Sequence, residues 1–293
     1  MSSRSNLSAY CQIIYVNMPD IPTIYFYIIF YLMSVGGILL NLFLLVSYKY
    51  RLEAILGKRA TFTLSMIFLT VADFINSFVL LIDLLFLIFE DSLTYKILEM
   101  LKPFRNGMIV IECFLFDLLA FDRLLAVIKP LENKWRPGVI KLVTAIVVTL
   151  CLIFEVSLRY CFSDFTIVCD IRRIVGRILN VYYILIFSLF IIVNYACYAT
   201  LFLYFIIRLK GAQTSSMRNI LKMAKILFIS AFLFNISLLP TIITAFIGSF
   251  FSYTVVYLIY IHIITNPLIL ILNNQGLRRI FLHKFISVVN STI

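Results

Sequence analysis

The chain has 293 residues, of which 63% are apolar and only 13% charged, with a mean hydropathy of +1.05. About a quarter of a soluble domain's residues are charged, so this composition excludes a water-soluble globule and makes lipid the solvent. A net charge of +11 would point to nucleic acid in a soluble protein. Here the basic residues fall in short stretches between apolar runs, where they act as topology signals and contacts to anionic lipid, and no nucleic-acid partner is expected.

A membrane-spanning helix needs about 20 predominantly apolar residues, and the chain offers seven such segments in order. Residues 24–47 carry no charge and form the first; 61–89 carry only Asp73 and Asp83 and form the second. The third, 97–128, is the most polar, and the fourth, 139–158, has Glu155 near its end. The fifth, 178–207, is uncharged. Residues 226–277 contain no Asp, Glu, Lys or Arg, too long a stretch for one span, and Gly248, Ser249 and Ser252 mark a turn that divides it. The sixth and seventh helices are then predicted over 219–247 and 254–272. Beyond them, Leu277, Ile280, Phe281 and Phe285 recur at helical spacing among Arg278, Arg279, His283 and Lys284, which predicts a short basic amphipathic helix on the membrane surface. The expected organisation is all-α: an N-terminal segment (1–23), a seven-helix bundle (24–272), and an amphipathic helix with tail (273–293).

Orientation follows from Lys and Arg. Seventeen gather on one side, in the groups around Lys49–Arg59, Arg123–Lys141, Arg208–Lys225 and Arg278–Lys284. The other side holds seven: Arg4, Lys96, Lys102, Arg159, Arg172, Arg173 and Arg177. This bias places the N-terminus outside, where Asn6-Leu7-Ser8 is a glycosylation sequon. The first residues contain no apolar core followed by a small-residue cleavage site, so no cleaved signal peptide is expected. Of the six cysteines, Cys113, Cys151 and Cys197 lie inside apolar runs and read as small buried hydrophobes. Cys11, Cys161 and Cys169 lie on the outer, oxidising side; Cys161 with Cys169, or Cys11 with either, are the candidate disulfides.

Polar residues inside lipid are costly and mark function. They occur here as Asn41 in GGILLNLFLLV, Asp73 in LTVADF, Asp122-Arg123 in FDRLLAVIKPL, Tyr198 in NYACYATLF, Phe234 and Pro240 in FNISLLP, and Asn266-Pro267 in HIITNPLIL. In this order and spacing the set resembles the rhodopsin-like G-protein-coupled receptors, across helices 1 to 3 and 5 to 7 and the surface helix. The short loops, truncated tail and divergent motifs are similar to those of nematode serpentine chemoreceptors. The departures are specific. Leu124 follows Asp-Arg where the family has Tyr, Leu270 ends the NPxxY pattern, and Leu238 replaces the helix 6 Trp. The usual Trp of helix 4 and Pro of helix 5 are missing. No Cys occurs between Cys11 and Cys113, so the usual disulfide from helix 3 is absent, and Ile220 stands where an acid often pairs with the helix 3 Arg. Tyr260 in place of a Lys excludes an opsin; Arg105 in place of an Asp excludes an amine receptor.

The resemblance implies that Asp122, Arg123, Tyr198, Asn266 and Pro267 form the G-protein-coupling switch. It implies structural roles for Asn41, as a packing hydrogen bond, and for Phe234 and Pro240. It also implies a sodium ion beside Asp73, where Glu112 takes the place of a small polar residue. Two nearby carboxylates in a dry site cannot both stay ionised without a cation, so Asp73, Glu112, His262 and Asn266 are an ion or proton site, or else a hydrogen-bonded brace between helices. Arg105 lies about two turns outward of Glu112 on the same face of helix 3. It either pairs permanently with Asp83 or binds an anionic ligand group with help from Arg172, Arg173 and Arg177 on the second outer loop.

The expected function is a plasma-membrane, multi-pass receptor that binds an extracellular small molecule or peptide and activates a heterotrimeric G protein, in a chemosensory role. HExxH, GxSxG and phosphate-loop patterns are all missing, so no enzyme activity and no cofactor are expected. The alternatives are a neuropeptide or hormone receptor of the same fold, or a proton-coupled transporter using the buried acids of helices 2 and 3. The transporter lacks support from internal repeats or Gly-rich broken helices.

Overall fold

The computed structural model describes residues 23–56, 60–88, 92–128, 137–163, 169–208, 215–247, 258–273 and 277–282, all of them helical. The long helices are α1 (Thr23–Leu56), α2 (Ala60–Ile88), α3 (Ser92–Ile128), α4 (Pro137–Ser163), α5 (Cys169–Arg208) and α6 (Ser215–Ile247). A 3₁₀ turn, Ile259–Ile261, leads into α7 (His262–Asn273). Four segments are long and apolar enough to cross a membrane: Ile28–Lys49, Leu64–Leu85, Val181–Ile207 and Leu221–Pro240. Lys141–Phe154 and His262–Asn273 are shorter apolar helices. α3 is long, but Arg105, Glu112, Asp117, Asp122 and Arg123 interrupt its apolar run.

The helices overrun the limits predicted from hydropathy. α5 begins at Cys169, so Arg172, Arg173 and Arg177, expected on a loop, stand on helical backbone. The reason is that hydropathy marks bilayer depth, whereas a helix ends where propensity fails; between Cys169 and Arg177 there is no Pro and one Gly. For the same reason α1 runs on to Leu56 and α4 to Ser163, which puts Cys161 on helical backbone also. The side chains of Cys161, Cys169, Arg105, Glu155, Arg172, Arg173 and Arg177 lie outside the described residues, as do Asn6, Cys11, the turn at 248–252, and Phe285.

The bundle closes on itself. α1 packs on α2 and α7, α7 on α6, and α6 on α5, while α3 runs through the centre against α2, α4, α5 and α6. Its polarity is inverted relative to a soluble protein. Leu142, Ile146, Leu150 and Ile153 form one exposed apolar stripe on α4, and Val181, Leu185, Leu189 and Ile192 form another on α5. Asn41, Asp73, Asn76, Ser77, Glu112, His262 and Asn266 are all buried. Apolar outside and hydrogen-bonded polar groups inside is the arrangement a bilayer selects.

Two contacts seat α1 against its neighbours. Pro267 has no N–H to donate, which leaves the Ile263 carbonyl without its helical partner; Asn41 Nδ2 donates to that carbonyl at 3.1 Å and to Gly37 O at 2.9 Å. Gly37 is where α1 comes closest: a Cβ there would lie 2.5 Å from Ser77 Oγ and 3.3 Å from Ile263. Ser77 is not free to give way, since its hydroxyl donates to Asp73 O at 2.7 Å and its carbonyl accepts from Ser34 Oγ at 2.6 Å. The amphipathic tail helix is seen over 277–282: Leu277 is buried, Phe281 meets Phe43 of α1 edge-on at 5.3 Å, and Arg278 and Arg279 are exposed.

Candidate functional site

The buried polar residues of α2, α3 and α7 converge on one point. Asp73 and Asn76 stand three residues apart on α2 and therefore share a face. Glu112 approaches from α3, and His262 and Asn266, four apart, approach from α7. Each carboxylate is held on one side by an amide. Asn76 Nδ2 donates to Glu112 Oε1 at 2.5 Å, and Asn266 Nδ2 donates to Asp73 Oδ2 at 3.3 Å. The other two carboxylate oxygens face the imidazole: His262 Nε2 lies 2.6 Å from Glu112 Oε2 and 3.8 Å from Asp73 Oδ1. All of these side chains are essentially inaccessible to solvent. Neither carboxylate pairs with a Lys or Arg among the described residues.

Asp73, Glu112, His262 and Asn266, expected to group, are thus brought together. Asn76 is the member that sequence reasoning missed; its i+3 relation to Asp73 on a helix whose Asp faces the interior was the available signal. Donor chemistry also fits a cation here. Asp73 Oδ1, Glu112 Oε2, Asn76 Oδ1 and Asn266 Oδ1 are all buried and accept no hydrogen bond, so oxygen ligands of the kind a sodium ion takes are present, with one imidazole nitrogen added.

Aromatic packing ties this cluster to α6. The His262 ring meets Phe234 edge-on at 4.8 Å, and Phe234 stacks on Phe116 of α3 at 5.0 Å. Phe234, expected as a structural residue, therefore brings α6 into contact with the polar centre. Ser237 Oγ donates to its carbonyl at 2.6 Å, three residues before Pro240 within α6.

Toward the other end of α3, Arg123 Nη2 contacts Asp122 Oδ2 at 2.6 Å. Arg123 and Asp122 are both buried, at 4% and 8% exposure. Tyr198 of α5 is buried, and its ring packs on Phe202 and on Phe228 of α6. Its hydroxyl makes no hydrogen bond.

In the opposite half, Asp83 is buried; its proposed pairing with Arg105 involves a side chain outside the described residues. Asn106, one residue along α3, donates to Tyr183 Oη of α5 at 2.9 Å, a polar contact that the sequence did not single out. Half-buried Asp117 of α3 and buried Asn194 of α5 each carry enclosed side-chain atoms without a hydrogen-bond partner. Cys113 and Cys197 are buried free thiols, and Cys151 is half-buried.

Compared with known proteins, the chain matches no protein-family model and no curated protein sequence.

Proposed function

We propose that this chain is a seven-helix receptor of the rhodopsin-like G-protein-coupled class. It sits in the plasma membrane with its N-terminus outside, binds an extracellular small molecule or peptide, and activates a heterotrimeric G protein in a chemosensory role. One observation carries most of the support: the buried polar residues of α2, α3 and α7 meet in a single cluster, and that cluster touches α6 through Phe234. A ligand in the outer half that shifts α3 or α7 alters the seat of Phe234. α6 then moves with α5, and a cytoplasmic cleft opens beside Arg123 for a G-protein helix. Asp122 takes the place of the missing acid on α6 and holds Arg123 within the helix bundle until then.

In this reading Asp73, Glu112, His262 and Asn266 set the resting equilibrium by holding a cation or a proton. The protein carries out no bond-making step. The test is Arg123→Ala, measured by G-protein recruitment and by ligand binding at the cell surface. Activation should be lost with surface expression and ligand affinity retained; an unchanged dose response ends the reading.

A proton-coupled transporter is the second reading, favoured by the acids Glu112 and Asp122, both buried, and the half-buried Asp117 between them, at five-residue steps along α3. Substrate-driven proton flux in proteoliposomes supports that reading, and its absence removes it.

A further inference from the structure

We propose that Asp73, Glu112 and His262 form a buried binding site for a divalent transition-metal ion of the zinc type, linking α2, α3 and α7. One potential ligand atom from each residue lies within 4.8 Å of the other two, and all three residues are buried. Ligand atoms around a tetrahedral zinc ion stand about 3.4 Å apart, given bonds of about 2.1 Å. The separations of 2.6 and 3.8 Å from His262 Nε2 to the two carboxylates bracket that spacing, so rotamer adjustments of less than an ångström complete it.

The arrangement around these atoms is independent support. On each carboxylate, the oxygen turned away from His262 is fixed by an amide, from Asn76 or Asn266. The oxygen turned toward His262 is fully buried and has no amide or hydroxyl donor; the imidazole itself, 2.6 Å from Glu112 Oε2 and 3.8 Å from Asp73 Oδ1, is what stands before it. Polar groups behind a ligand that orient it and leave its donor atom open are what metal sites require. The amide oxygens of Asn76 and Asn266 are buried and accept no hydrogen bond either, so a further oxygen ligand is at hand.

Charge and donor type then select the ion. Two ionised carboxylates carry a charge of about −2 in a dry site, where uncompensated charge is expensive. A monovalent ion or a protonated imidazole leaves half of it uncompensated, whereas a divalent ion balances it and leaves the imidazole neutral. Sodium, magnesium and calcium prefer oxygen throughout; imidazole nitrogen beside carboxylate suits zinc and its neighbours. The site deepens the cation-responsive role given to this cluster and rests on that reading for its effect on signalling.

The experiment uses the full chain in lipid nanodiscs, purified through a tag without histidine from cells grown in zinc-supplemented medium. Elemental analysis should find zinc near one per chain, and prolonged EDTA treatment should lower the melting temperature until zinc, but not magnesium, restores it. His262→Gln and Glu112→Gln should each lower zinc affinity by at least about tenfold; His283→Ala, which removes the other histidine of the chain, should leave it unchanged. If those variants fail to fold, X-ray absorption of the wild-type chain decides: one imidazole with oxygen ligands supports the site, and a sulfur-containing shell overturns it. Zinc retained by both cluster variants, a melting temperature that responds to sodium alone, and a chain free of zinc each overturn it too. A chain that holds zinc here yet activates no G protein keeps the site and loses the receptor reading. A signalling receptor without metal does the reverse.

Discussion

Asn41 illustrates how much one polar atom in lipid can decide. A proline at position 267 removes a helical N–H, and the carbonyl it strands belongs to Ile263, which Asn41 reaches from another helix at 3.1 Å. In water the stranded carbonyl would be solvated; in a bilayer no such relief exists. Asn41→Ala should therefore destabilise the folded protein by about 1–3 kcal/mol, the cost of a buried unsatisfied polar group. Thermal unfolding in detergent micelles measures it, and an unchanged midpoint would show that the carbonyl finds another donor. The sequence named Asn41 and Pro267 separately but did not join them. They are joined through the Ile263 carbonyl, which Asn41 reaches across 222 positions, and no local pattern encodes that contact. The Asp73, Glu112, His262 and Asn266 group was legible because charge in an apolar run is conspicuous by itself. Asn76 was passed over although it stands three residues from Asp73 on the same helix, because the Glu112 carboxylate that gives it a role lies on another helix.

At the scale of the helix, small residues set how closely neighbours approach. Gly37 sits where α1, α2 and α7 meet, and the nearest atom to an added Cβ is a hydroxyl oxygen already committed to Asp73 O. Gly37→Ala should push α1 outward at a cost of about 1–3 kcal/mol, the usual range for overpacking. It should do so more than Gly36→Ala, where the nearest side-chain atom lies 3.5 Å away. Comparing the two melting temperatures isolates the steric term, since both changes gain the same helix propensity. Equal effects would refute it. Element type and order were plain from hydropathy alone, whereas helix ends were not. Hydropathy reports where the chain leaves the lipid, and α5 continues as helix beyond that depth, carrying Arg172, Arg173 and Arg177 with it.

At the scale of the whole molecule, the distribution of Lys and Arg predicts an external N-terminus. An epitope tag placed after residue 2 should stain intact cells, and Asn6→Gln should remove any glycan shift. Staining only after permeabilisation would invert the topology and with it the receptor reading. The architecture also bears on how the chain is made. α3 is the central helix of the bundle, yet it carries Glu112, Asp117, Asp122 and Arg123. Each charge near the middle of a nascent span opposes release from the translocon into lipid by about 2.5–3.5 kcal/mol. α3 should therefore enter the bilayer against α2, whose Asn76 donates to Glu112, rather than by its own hydrophobicity. Chains truncated after residue 130 with a glycosylation reporter should insert α3 efficiently only when α1 and α2 precede it. Asn76→Leu, which keeps α2 in place but removes that partner, should leave more of the reporter glycosylated on the outer side, making the order of synthesis itself a condition for reaching the fold.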